Sequence, residues 1–170
     1  HIELKADQKI FIHGGAGGIG SIAIQVAKHL GAHVITTATG EGIDYVKGLG
    51  ADEVIDYKAE DFAEKLSDLD AVFDTVGGDD FAKAMSLVTS GGVAVTMIAD
   101  IDEDKAKELG VTGVKQMTHV NSQKLTELTQ LVEAGTVTPN VGQVFELADV
   151  QQAFEARESG TVHGKIVISL

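Results

Sequence analysis

Residues 9–20 read Lys9-Ile10-Phe11-Ile12-His13-Gly14-Gly15-Ala16-Gly17-Gly18-Ile19-Gly20. A short apolar run, suited to a buried strand, passes without a break into five glycines within seven residues. The period of the apolar positions then changes. Ile19, Ile22, Ala23, Val26, Ala27 and Leu30 fall at i, i+3, i+4, i+7, i+8 and i+11, one face of a helix. Gly31 stops that helix. The unit is therefore strand, glycine turn, helix.

The same alternation continues after it. Further strands are expected at 33–37, 53–56, 71–76, 92–98 and 114–120, with helices at 44–49, 62–66, 80–89 and 102–109. Strands alternating with helices imply a parallel sheet covered on both faces. Right-handed crossovers then give an α/β doubly wound sheet, the Rossmann fold, in strand order 3-2-1-4-5-6. From residue 122 the pattern predicts a helix carrying Leu125, Leu128, Leu131 and Val132, a loop with Pro139, a helix over 149–158 and a last strand over 165–168. Residues 1–121 are thus read as the core and 122–170 as a helix-loop-helix-strand extension.

Composition agrees with a buried sheet. The 170 residues are 44% apolar, and Val and Ile together outnumber Leu by 32 to 12, which favours strands over a helical bundle. Zero cysteines exclude a disulfide scaffold, a thiol nucleophile and a cysteine-based zinc site within this chain. The net charge is −13, and residues 41–108 hold 18 acidic and 6 basic side chains. Nucleic acid and anionic membrane both demand Lys and Arg, so neither is an expected partner. No apolar run approaches the length of a membrane span, and a cytoplasmic location is the expectation. The acidic run Asp100-Ile101-Asp102-Glu103-Asp104 lacks an EF-hand glycine and distal glutamate, and is read as helix N-terminal charge.

Gly15-x-Gly17-x-x-Gly20 between a strand and a helix is the fingerprint of a dinucleotide site. Its first glycine permits the tight turn, its second lets backbone approach a pyrophosphate, and its third lets the helix pack on the sheet. The helix N-terminus adds unpaired N–H groups and a positive dipole end. Gly14-x-x-x-Gly18-x-Gly20 also fits the short-chain dehydrogenases, but their Tyr-x-x-x-Lys is missing. Tyr45 is followed at the fourth position by Leu49, and Tyr57 by Asp61.

Another family matches more of the chain. The glycine loop with Ala27-Lys28, the stretch Leu49-Gly50-Ala51-Asp52-Glu53-Val54-Ile55-Asp56-Tyr57, then Phe73-Asp74-Thr75-Val76-Gly77-Gly78, and the ending Gly164-Lys165-Ile166-Val167 resemble the medium-chain dehydrogenase/reductases, particularly their zinc-independent quinone oxidoreductase branch. The resemblance implies an enzyme that transfers hydride between a nicotinamide cofactor and a quinone, enone or other activated carbonyl. Enoyl reduction by the same superfamily and a non-catalytic NAD(P) sensor or assembly module are the alternatives. It further implies that Gly15, Ala16, Gly17, Gly18, Ile19 and Gly20 hold the pyrophosphate and that Thr36, Thr37 and Thr39 face the adenosine ribose. Tyr57 would border the adenosine end. Thr75, Val76, Gly77, Met97 and Ile98 would line the nicotinamide end.

Members of that family place a catalytic domain ahead of the first strand, whereas only eight residues precede it here. The expectation is an excised cofactor domain, inactive alone, with its catalytic residues and half of its substrate pocket in the missing part. No metal is expected, and pairing through the sixth strand is expected to form a homodimer. The region Thr36-Thr37-Ala38-Thr39 carries no acid to hold a ribose 2′-hydroxyl, which favours NADP(H) over NAD(H). No Lys or Arg lies between Lys28 and Lys47, however, and Glu41 is close. Among the histidines, His13 is read as packed or capping and His119 and His163 as loop or strand-edge residues. His29 and His33 are separated by the helix-ending Gly31. Asp74 is read as a buried carboxylate bonded to neighbouring backbone.

Overall fold

The computed structural model describes residues 1–160, 162 and 164–170. The reading of His163 lies outside the described residues. Two compact units divide the chain, His1–Thr126 and Glu127–Leu170.

The first unit is a six-stranded, all-parallel sheet. Its strands are β1 (Lys9–His13), β2 (His33–Ala38), β3 (Glu53–Asp56), β4 (Leu69–Asp74), β5 (Val88–Thr96) and β6 (Thr112–Lys115), in the order β3-β2-β1-β4-β5-β6. Helices α1 (Gly20–His29), α2 (Glu41–Gly48), α3 (Asp79–Ser86) and α4 (Glu103–Leu109) connect all but β3 and β4. Those two are joined through a short 3-10 turn, Phe62–Glu64, where the sequence reading had a helix over 62–66. Alternate residues of one strand enter opposite cores, as the pleat requires. Ile10 and Ile12 join Val34, Ile24, Ala27 and Val46 on the α1–α2 face. Phe11 joins Val72, Phe81, Met85 and Ala106 on the α3–α4 face. A sheet buried on both faces explains the near-continuous apolar strands.

Several boundaries differ from the sequence reading, each for a visible reason. β4 ends at Asp74, not at residue 76, because the Asp74 carboxylate accepts the N–H groups of Val76 and Gly77 and turns the chain. β5 runs 88–96 instead of 92–98, and the Thr96 hydroxyl ends it by accepting from the N–H groups of Ile98 and Ala99. With its neighbour turned away, the pairing of β6 ends with the Gln116 N–H on the Thr96 carbonyl, so the expected strand 114–120 shrinks to 112–115. Residues 116–121, His119 among them, lie outside any helix or strand.

Helix α5 (Ser122–Glu133) spans the division between the units. In the second unit, β7 (Val141–Glu146) pairs in parallel with β8 (Lys165–Ser169), with α6 (Val150–Ser159) between them. The extension is therefore helix-strand-helix-strand, where the sequence reading had a loop at 141–146. Val141-Gly142-Gln143-Val144-Phe145-Glu146 lies almost wholly exposed, so it carries too little apolar alternation to read as a strand.

Candidate cofactor site

The strand order reverses between β1 and β4, and ligands of such sheets bind beyond the carboxyl ends of the strands at that point. The glycine turn stands there. Gly14 donates its N–H to Thr37 Oγ1 at 3.0 Å, and Gly15 donates to the Thr37 carbonyl at 3.1 Å. Gly15 lies against Thr36 so closely that any Cβ would run into the Thr36 hydroxyl. Gly20 is equally constrained, since a Cβ there would strike the Gly14 carbonyl and lie 2.7 Å from the Gly15 Cα. Gly17 differs. Among the described residues, and apart from its chain neighbours, a built Cβ meets only the Gly14 carbonyl oxygen within 4 Å, at 3.2 Å.

Ala16, Gly17, Gly18 and Ile19 are exposed above this turn. Ile19 caps α1 without a side-chain hydrogen bond, and the first turn carries no acid. Among the described residues, the N–H groups of Gly18, Ile19 and Gly20 have no backbone partner. Such a helix start is open to an anion.

Asp74 lies fully buried on the other side of the switch point. His13 Nδ1 donates to its Oδ1 at 2.9 Å, Thr96 Oγ1 donates to Oδ2 at 2.7 Å, and the Gly77 N–H reaches both oxygens at 3.1 Å. Burial pushes the Asp74 carboxyl upward, but the bonds from His13, Thr96, Gly77 and Val76 outweigh it and hold the group below 3.8. Thr75 folds inward, donating its hydroxyl and its N–H to the His13 carbonyl. Val76 and Ile98 face out, 49% and 55% exposed, with the Gly77 backbone packed on Ile98. Met97 is half-buried, its N–H bonded to the Asp74 carbonyl.

The three threonines separate. Thr36 and Thr37 are buried, the first donating to the Ile12 carbonyl and the second accepting from Gly14, so both hydroxyls serve the turn. Thr39 is half-buried just past β2. Parallel pairing sets Ala38 opposite Asp56, which carries exposed Tyr57 and Lys58 to the same sheet end as Thr39. Lys58 lies 20 residues past the end of β2 in the sequence. Only the β2–β3 register brings it there, and no ion-pair partner is found for its ammonium among the described residues.

Other polar side chains pair within the fold. His33 Nε2 pairs with Glu53 at 2.8 Å at the opposite sheet end. Asp102 caps α4, accepting from the Lys105 N–H at 2.9 Å. Among the described residues, no group of three or more His, Asp or Glu side chains is placed to hold a metal ion, and no helix is long and apolar enough to cross a membrane.

Residues 49–168 match the zinc-binding dehydrogenase family. The chain belongs to that family, within the medium-chain dehydrogenase/reductase superfamily. It is 34% identical to the mitochondrial NAD(P)H oxidoreductase RTN4IP1 of Danio rerio, over 97% of this chain and 50% of the relative. It is 32% identical to the chloroplastic NADPH-dependent alkenal/one oxidoreductase of Arabidopsis thaliana, over 98% of this chain and 42% of the relative. The solved quinone oxidoreductase of Coxiella burnetii superposes with a TM-score of 0.88 at 33% identity, over 99% of this chain and 55% of that one. The chain spans about half the length of the curated relatives it matches.

Proposed function

We propose that this chain is the nicotinamide-cofactor half of an oxidoreductase that passes hydride between NADP(H) and a quinone, enone or other activated carbonyl. The observation that carries the reading is the open α1 N-terminus over Gly17, placed at the switch point of a parallel sheet. Gly15 through Gly20 would cradle the pyrophosphate, while Thr39, Tyr57 and Lys58 would meet the adenosine ribose. Val76, Gly77, Met97 and Ile98 would bound the nicotinamide. When bound, the nicotinamide supplies the hydride chemistry. The residues of this chain bind and orient it and exclude water from one side.

The relatives named for quinone and alkenal/one substrates support this substrate class. Since the chain covers about half of such proteins, the remaining wall of the substrate pocket would come from a companion domain. The relative named NADPH-dependent supports NADP(H), as does the free Lys58. Zinc independence of the whole enzyme and a cytoplasmic location belong to the same proposal, checked by metal content and by cell fractionation. A homodimer formed through the edge strand β6 belongs to it too, and sedimentation of the chain tests that part.

Titration calorimetry of the 170-residue chain with NADPH and NADH tests the central reading. Binding of NADPH, tighter than NADH, is the expected result. Binding of neither cofactor would overturn the assignment.

A further inference from the structure

One buried carboxylate holds both loops at the nicotinamide end. Asp74 Oδ1 accepts from His13 of β1 at 2.9 Å and from the N–H of Val76 at 3.2 Å, while Oδ2 accepts from Thr96 of β5 at 2.7 Å. The Thr96 hydroxyl in turn accepts from the N–H groups of Ile98 at 3.2 Å and Ala99 at 3.1 Å. The 75–77 loop therefore hangs on Asp74 directly, and the 97–99 loop hangs on it through Thr96. His13 fixes the carboxylate to the strand that opens into the glycine turn. Its ring packs against both Phe11 and Phe62 in a three-ring cluster, with centroids 5.6 and 5.4 Å away.

We infer that Asp74, with His13 and Thr96, is the positioning residue that presets the two nicotinamide-facing loops before any cofactor arrives. None of the three needs to touch the cofactor. A carboxylate satisfied by several charge-assisted bonds is a rigid anchor in a desolvated site. Preset loops spare the cofactor the cost of ordering them. The glycine turn has bonds that do not pass through Asp74, from the N–H groups of Gly14 and Gly15 to Thr37. The two halves of the site meet at His13, whose carbonyl accepts from Thr75, but the bonds to Thr37 do not use the Asp74 carboxylate.

The inference rests on the cofactor reading above, and its test separates the two. The ligands are NADPH and 2′-phospho-ADP-ribose, which lacks the nicotinamide, titrated into the 170-residue chain. Asp74→Asn should weaken NADPH about tenfold, as expected for losing charge-assisted bonds. It should leave 2′-phospho-ADP-ribose within about twofold, because the bonds of the glycine turn are intact. The anisotropy of bound dihydronicotinamide fluorescence should fall in the same variant. Thr96→Val removes the hydroxyl's bonds to Asp74, Ile98 and Ala99 but leaves those of the 75–77 loop, and should show the same selectivity, about threefold, for a single lost hydroxyl. It keeps the test open if Asp74→Asn does not fold. Equal weakening of both ligands, or of neither, would overturn the positioning role. Failure of the unaltered chain to bind either ligand would instead overturn the cofactor reading, and this inference with it.

Discussion

Thr36 donates its hydroxyl to the carbonyl of Ile12 at 2.6 Å, across the seam between β2 and β1 and directly against Gly15. A threonine that reads as a ribose contact is instead the floor of the glycine turn. Gly15→Ala should consequently destabilise the fold by about 1–3 kcal/mol through overpacking. Thr36→Ala should cost about 1 kcal/mol for the lost hydrogen bond. Gly15→Ala creates a clash with the Thr36 hydroxyl that Thr36→Ala removes, so the double variant should lose less than their sum. Urea unfolding of the four proteins measures this, and strict additivity would contradict the packing.

Gly17 is the contrasting case. A side chain there meets only the Gly14 carbonyl and otherwise open space. Gly17→Leu should keep the far-ultraviolet circular dichroism of the parent and lose measurable NADPH binding, because the new side chain takes the place of the pyrophosphate. Retained binding would place the phosphates elsewhere.

Lys58 provides a test of cofactor preference. Lys58→Gln should weaken NADPH about fivefold, the loss of one exposed ion pair of roughly 1 kcal/mol, while leaving NADH unchanged. Dissociation constants for both cofactors, compared at one ionic strength, decide it. An equal effect on both would remove Lys58 from the 2′-phosphate.

Acid should act through Asp74. Its carboxyl is held below 3.8 in the folded chain, so the stability it contributes is present above that value and is lost as the pH falls through the folded one. Asp52, pushed up by burial but held down more strongly by Lys28 and the Val34 N–H, adds in the same direction. Urea midpoints of the parent should therefore fall steeply below about pH 4, and Asp74→Asn should flatten that slope without abolishing it. An unchanged slope would show that the pair with His13 contributes no linkage.

The sequence alone determined the alternation of strand and helix, the order of the sheet and the place of the glycine turn. These follow from local rules. A residue pattern of period 2 or 3.6 commits a segment to strand or helix, and a glycine run between them commits the turn. The tertiary structure alone decided the partners of the polar groups. Asp74 meets His13 across 61 residues of chain, and Lys58 reaches the end of β2 only because β3 pairs in parallel with it. It also decided that Thr36 and Thr37 spend their hydroxyls inside the fold, and that the weak pattern at 141–146 becomes a strand when β8 lies beside it. A hydrogen-bond partner far along the chain leaves no periodic trace in the sequence. It exists only once the sheet has set its register.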